Sequence, residues 1–438
     1  MEAGTDVPPS HKLRPMSRDA LRAVLDGLEE PSCVSGTVRT AERVAIALPD
    51  GDVGAVDDAR FVDWLLAHAE LAPYGEGTQT KVDPKVRNAQ RLIARDTAVV
   101  HGFDPASILG EIEASLSPGA HLSASLTDVI VYPKGGKFAR HRDTPRSRNL
   151  IGTLVVGLPI AHTGGAFVID DGRAEQRFDW GKPAATLPWV ALFSDVDHWI
   201  EQVKTGARVT LVYALHRTDK PRSEAKWAAT QTALRVACRS LVSGRDPLMI
   251  ACGRHAIAEP GTAQPQAIDT LRGLDRELAE ILVEEGYQVG VRACIAPVMN
   301  YEPHQPVERG AFPLVQNLWA VARLKAVPPA SLIDALSEEG GWEIDDYRLD
   351  DVLLQEWIVR RSAVATLANE NAEWAEPGNF GNEGYAAILY TLAAIEVTTT
   401  KKSAAKKPAA KKPAAKKPAK KPAAKKPAAK KPAAKKKR

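Results

Sequence analysis

The hydrophobic pattern changes period twice along the chain. Near the start, "RDALRAVLDGLEE" and "DARFVDWLLAHAEL" repeat apolar residues every three or four positions, and "ASILGEIEASLSP" does so until Pro118 stops it. That spacing lines one face of a helix, so residues 1–120 read as a helical and mixed region supporting a core further along the chain. From 121 to 216 the period shortens to two. The runs "LTDVIVYP", "KFARHRD", "LIGTLVVGLP", "GGAFVID", "EQRFDW", "WVALFSD" and "ARVTLVYAL" succeed one another with turn residues between them and no helical segment. Short strands in such a series form a barrel or a two-sheet jelly roll. Helical spacing returns over 217–397 in "KWAATQTALRVACRSLV", "TLRGLDRELAEILVEEG" and "LDDVLLQEWIVRRSAVATLANE", with "YQVGVRACIAPV" as a strand. A mainly helical accessory region is expected there. The predicted class is α+β, a jelly-roll core with flanking helices.

Residues 398–438 differ in kind. They run into a "KKPAA" repeat with slips, in which recurring proline interrupts any helix and lysine repulsion opposes collapse. An extended, disordered tail is expected. The chain's 58 Lys and Arg slightly outnumber its 54 Asp and Glu, but 18 of the basic residues lie in 401–438, which holds no acid. The remaining 40 against 54 give residues 1–400 a net charge of −14. A dense lysine array without acids suits phosphate binding through counterion release, and without aromatics it suits binding that ignores base sequence. Nucleic acid or another polyanion is therefore the expected partner of 401–438.

With 44% hydrophobic and 26% charged residues the composition is that of a soluble globular protein. No apolar run approaches the roughly 18 residues of a membrane span, so no membrane partner is expected. The opening "MEAGTDVPPSHKLRPM" lacks the apolar core of a signal peptide. Cys33, Cys238, Cys252 and Cys294 are scattered and read as reduced thiols. A cytoplasmic location is the resulting expectation, nucleoid-associated in a bacterium, or nuclear in a eukaryote, where "PAAKKKR" would serve as a signal.

Candidate chemistry centres on "VYPKGGKFARHRDTPRS", residues 131–147. The glycine turn at Gly135 and Gly136 makes Phe138 to Asp143 a strand leaving a hairpin. His141 and Asp143 then point to one face, about 7 Å apart along the backbone, and Arg140 and Arg142 to the other. Such a pair suits one metal ion or nothing. A third donor is available in His198, 55 residues after Asp143, and ten residues further stands Arg208 with Thr210 on the same face of its strand. Two His and one carboxylate form the facial triad of non-haem Fe(II) oxygenases, and an Arg holds a carboxylate bidentately.

On His141, Asp143, His198 and Arg208 the sequence resembles the Fe(II)- and 2-oxoglutarate-dependent dioxygenases, prolyl-hydroxylase-like branch. More narrowly, "YPKGGKFARHRDTPRS", "GTLVVGLP", "HTGGAFVI", "FDW" and "FSDVDHWIEQVKTGARVTLVY" are similar to strings shared by one group of such proteins. The clear likeness covers 125–216, with a weaker echo in "GNEGYAAILYTLAAIEV". The resemblance implies a double-stranded β-helix core over 121–216. It implies Fe(II) on His141, Asp143 and His198, 2-oxoglutarate on Arg208, O2 as oxidant, and ascorbate as an auxiliary reductant. Asp143 stands where halogenase variants of the fold carry a small residue, which favours hydroxylation. The expected substrate is a protein side chain, Pro-like, and the tail's own Pro and Lys are candidates. A family Tyr that also binds the distal carboxylate falls at Gly157 here; Tyr132, Thr153 and Thr210 are the substitutes, Tyr132 first.

Other residues read more blandly. Asp195 and Asp197 are expected to be solvated or to sit behind His198, and Trp199 to pack. His68, His101 and His162 are expected at the surface or in the core. Arg140, Arg142, Arg146 and Arg148 either line the mouth or pair with surface acids. The alternative function is a non-catalytic, nucleic-acid-binding architectural protein with a linker-histone-like tail.

Overall fold

The computed structural model describes residues 16–28, 31–40, 42–76, 79–94, 97–143, 147–171, 174–218, 228–239, 241, 248–254, 256, 263, 265–300, 320–324, 348–353, 372–380 and 383–398. The tail expected to be disordered lies outside them from 399 onward. Residues Met1–Thr399 cluster as one compact unit.

The β-rich middle of the chain folds as a two-sheet, jelly-roll-like core. Its seven-stranded antiparallel sheet has the spatial order Cys33–Arg39, Thr186–Phe193, Leu150–Gly157, Arg208–Arg217, Leu122–Tyr132, Gln90–Ile93 and Glu70–Leu71. The second, five-stranded sheet runs Glu175–Phe178, Phe167–Asp170, Asp197–Ile200, Lys137–His141 and Arg87–Asn88. Between 122 and 217 most connections carry the chain from one sheet to the other; the hairpin of Phe167–Asp170 and Glu175–Phe178 stays within the second.

After the buried Cys33, the outer strand Cys33–Arg39 alternates partly buried and exposed positions, as a half-covered strand must. The inner strand Leu150–Gly157 is buried at most positions of both faces, and Arg208–Arg217 at most positions of one. One face meets the second sheet. The helix Ala106–Leu116 packs on the large sheet, touching Cys33–Arg39, Leu122–Tyr132 and Thr186–Phe193. Its Ile108, Ile112 and Leu116, spaced by four, are the buried residues. Burying each such side chain is worth about 1.5–3 kcal/mol as an upper figure.

The helices expected at Met16–Asp26, Phe61–Ala67, Ala106–Leu116, Ala228–Arg239 and Gly273–Glu284 are present. Two expectations change. Residues 1–120 are not only a support. They give both sheets strands, and Leu21 and Leu25 of the first helix belong to a separate hydrophobic core with Leu234, Cys238, Leu278, Leu282, Ile395 and Val397. Nor is 217–397 mainly helical among its described residues. Leu248–Ala251, Glu383–Thr398, Gln288–Asn300, Ala320–Leu324 and Arg348–Leu353 form an antiparallel sheet, joined by Ala372–Phe380. The segment "LDDVL", expected to open a helix, is strand, and the rest of that expected helix lies outside the described residues. Helix propensity in Leu- and Ala-rich runs is worth only tenths of a kcal/mol per residue, so a 13-residue pairing of Gln288–Asn300 with Glu383–Thr398 overrides it. No helix among the described residues is long and apolar enough to cross a membrane. All four cysteines are buried and unbridged.

Candidate metal and cosubstrate site

The hairpin that positions the site turns at Pro133–Gly136. Gly136 N–H donates to Pro133 O at 2.7 Å, and Gly135 has φ of 83°, the left-handed value a type II turn requires at that corner. The strand after the turn ends at His141, so Asp143 lies just beyond it. Across the antiparallel pair, His141 faces His198 directly, after a register irregularity beyond Phe138. Asp143 Oδ1 is 4.0 Å from His141 Nε2 and 3.8 Å from His198 Nε2. One ligand atom from each of the three residues lies within 4.8 Å of the others.

Both imidazoles are oriented from behind. His141 Nδ1–H donates to Ala139 O at 2.8 Å and His198 Nδ1–H to Val196 O at 2.9 Å. A carbonyl can only accept, so Nδ1 of each ring carries a proton, and Nε2 is the atom each turns toward Asp143, the one that would bind a metal in the neutral tautomer. Phe138 stacks on His141 with ring centroids 3.5 Å apart. Phe167 meets His198 edge-on at 5.6 Å. Thr153 donates its hydroxyl to Asp143 Oδ2 at 2.5 Å, leaving Oδ1 for the two histidines. Two neutral imidazoles and a carboxylate in this arrangement fit a divalent first-row metal.

The charge balance agrees with that fit. Burial, with repulsion from His198 behind it, pushes the His141 imidazolium down to about 3. At Asp143 burial opposes ionisation, but His198, His141, Thr153 and Arg87 outweigh it and hold the carboxyl below its ordinary value. Both groups are thus in the state that binds a metal.

Arg208 opens the strand Arg208–Arg217 and pairs in register with Tyr132. It is 2% exposed, and its Nη2 is buried without a hydrogen-bond partner. Instead of a carboxylate, aromatic rings surround it: Trp180, Tyr132 and Phe167 have their centroids 5.3, 5.7 and 5.9 Å from its guanidinium carbon. Burial lowers its pKa to about 10, against a small opposing effect of Tyr132. Among the described residues no acidic side chain pairs with Arg208, and a buried cation in that state is costly, so this one is set to receive an anion. Thr210 is 1% exposed, and Tyr132, Thr210 and Arg208 line one cavity of about 250 Å³ with His141, Asp143 and His198.

Position 157 has a physical reason to be glycine. A Cβ there would lie 2.7 Å from the Trp180 ring, so an indole fills the space that a side chain at 157 would take. Sequence reasoning does not find Trp180 and Phe167 as neighbours of Arg208; the strings "FDW" and "GGAFVI" contain them, but no spacing rule ties those residues to Arg208. Asp197 is not solvated. It is 3% exposed and clamped by Arg140 Nη2 at 2.9 Å and Arg142 Nε at 2.8 Å. Burial opposes its ionisation, but the hydrogen bonds from Arg142 and Arg140 prevail and lower its pKa. Asp195 is likewise enclosed, 3.9 Å from Arg254 and Arg272. Arg140 also bonds Asp170, and Arg148 pairs with Asp269 at 3.3 Å, so the arginine cluster serves acidic partners; Arg146 lies outside the described residues. Trp199 packs under Arg140, 5.4 Å from its guanidinium carbon. His162 is a core histidine, 7% exposed.

No family model and no curated protein matches the chain. Solved structures to which it is similar are 2-oxoglutarate and Fe(II) oxygenases and prolyl hydroxylases. A prolyl-4-hydroxylase from Pseudomonas putida is 18% identical, over 45% of this chain and 99% of that one, with a TM-score of 0.27. An oxidoreductase of the 2OG-Fe(II) oxygenase family from Burkholderia pseudomallei is 16% identical over 38% and 84%, with a TM-score of 0.24. A prolyl hydroxylase from Trichoplax adhaerens, solved with a hypoxia inducible factor oxygen degradation domain peptide, is 12% identical over 46% and 90%, with a TM-score of 0.27.

Proposed function

We propose that the chain is an Fe(II)- and 2-oxoglutarate-dependent dioxygenase that hydroxylates a protein side chain, Pro-like, and that its core is a double-stranded β-helix. The observation that carries this reading is the joint occupancy of one cavity by three convergent metal-ligand side chains and a buried arginine that no acid among the described residues pairs with. A non-catalytic architectural protein would have no use for that arginine.

In this reading His141, Asp143 and His198 hold the iron on one side. Arg208 pairs with the distal carboxylate of 2-oxoglutarate, with the Tyr132 and Thr210 hydroxyls as further donors. Ferrous iron with 2-oxoglutarate and O2 supplies a reaction that releases succinate and CO2 and inserts one oxygen atom into a substrate C–H bond. The chain's own residues supply geometry. Thr153 fixes the Asp143 carboxylate, and Phe138 and Phe167 hold the two imidazoles and exclude water from their far faces. The tail 401–438 would deliver the enzyme to nucleic acid or another polyanion, in the cytoplasm or, in a eukaryote, the nucleus.

Purified protein given Fe(II), ascorbate and 2-oxoglutarate should release succinate, slowly without substrate, and His141→Ala should lose both iron and turnover while keeping its circular dichroism. Full iron occupancy in a folded His141→Ala variant would end the assignment. Deleting 401–438 should abolish retention on heparin or DNA, leaving succinate release in place.

A further inference from the structure

Four arginines line the cavity that holds the three candidate ligands: Arg87, Arg91, Arg142 and Arg208. Three are accounted for. Arg91 bonds Glu70 at 2.8 Å and lies 3.6 Å from Asp128; Arg142 is spent on Asp197; Arg208 is the deep cosubstrate residue. Arg87 differs from all of them. Among the described residues no carboxylate pairs with it; its Nη1 donates only to Pro73 O at 2.6 Å, and its Nε is buried with no partner.

Arg87 is nonetheless held in place. It stands opposite Phe138 in the antiparallel pairing, and its guanidinium carbon is 4.4 Å from the Phe138 ring centroid. The same ring stacks on His141 at 3.5 Å. One phenylalanine thus joins the arginine to the candidate ligand set. Pinned, half-buried and without an acid, it is a preorganised cation, and preorganisation lowers the entropy lost when an anion binds. Arginine in such a setting recognises a carboxylate.

Resting on the dioxygenase reading above, we propose that Arg87 is a specificity-determining residue that binds a carboxylate of the substrate, so that the preferred substrate is an acidic peptide with Asp or Glu close to the hydroxylated residue. The same cation disfavours the chain's own "KKPAA" repeats, whose lysines bring like charge to the mouth.

Full-length protein carrying Mn(II) and 2-oxoglutarate, which binds without turning over, is exposed to pools of short peptides with a randomised central residue. One pool is flanked by Asp and Glu, one by Ala and one by "KKPAA" sequence, and retained peptides are weighed by mass spectrometry. Wild type should retain the acidic pool about tenfold better than the alanine pool, the size of one charge-assisted contact. At matched occupancy by Mn(II) and 2-oxoglutarate, Arg87→Ala should lose that preference and Arg87→Lys keep part of it. Equal retention of the acidic and alanine pools by wild type, a preference that survives Arg87→Ala, or best retention of the "KKPAA" pool would each overturn the proposal. Failure of wild type to bind Mn(II) and 2-oxoglutarate would instead refute the dioxygenase reading.

Discussion

Gly157 and Trp180 share one space: a Cβ on the glycine would sit 2.7 Å from the indole ring. A side chain at 157 therefore has to displace the ring that faces Arg208. Gly157→Tyr should lower stability by about 1–3 kcal/mol, the usual cost of overpacking. Combining it with Trp180→Gly should cost less than the two single changes added together, because the second removes what the first collides with. Urea midpoints of the four proteins measure that coupling; strict additivity would mean that the two positions do not compete.

Arg208 trades stability for binding. Its guanidinium is desolvated among aromatic rings with no counter-charge among the described residues, so Arg208→Met should raise the stability of the ligand-free protein by about 1–3 kcal/mol, the cost of an unsatisfied buried polar group. The variant should lose the thermal shift that 2-oxoglutarate gives wild type, which for one site at a hundredfold excess over Kd is about 2.7 kcal/mol. A differential scanning melt with and without the ligand reads both effects. A less stable variant that still responds to 2-oxoglutarate would contradict the role given to Arg208.

His162 supplies a pH dependence away from the metal ligands. Burial, chiefly, and the nearby Arg208 lower its pKa, with the bond from Nδ1 to Ile160 O and the charge of Asp179 opposing. The unfolded chain takes up this proton near the ordinary value of about 6.5, whereas the folded chain resists it. Stability from this group is therefore complete above that value and is lost as pH falls through it toward the folded-state value. In urea melts from pH 7 down to about 5, wild type should lose stability more steeply than His162→Gln. Parallel curves would show that His162 does not titrate differently in the two states.

Much of the core and site was legible because its signals are local. Alternating apolar residues set the strands from 122 to 217, and His141, Asp143, His198 and Arg208 stood at spacings that two facing sheets bring together. What escaped was set by partners far away in sequence. The strand Glu383–Thr398 has Ala and Leu runs that suit a helix, and its pairings with Gln288–Asn300, Leu248–Ala251 and Ala372–Phe380 make it a strand. Asp197 looks like a turn acid until Arg140 and Arg142 are seen to close on it, and Arg87 has meaning only beside Phe138 and His141.

On the proposed dioxygenase reading, iron held by His141, Asp143 and His198 would support reduction of O2 at the expense of 2-oxoglutarate. Turnover under 18O2 with Fe(II) and 2-oxoglutarate checks this by the isotopic mass of the succinate. Wild type should give succinate carrying one 18O atom, in step with 2-oxoglutarate consumed, and His198→Ala should give none. Unlabelled succinate, or label that persists at the wild-type rate in folded His198→Ala, would contradict it.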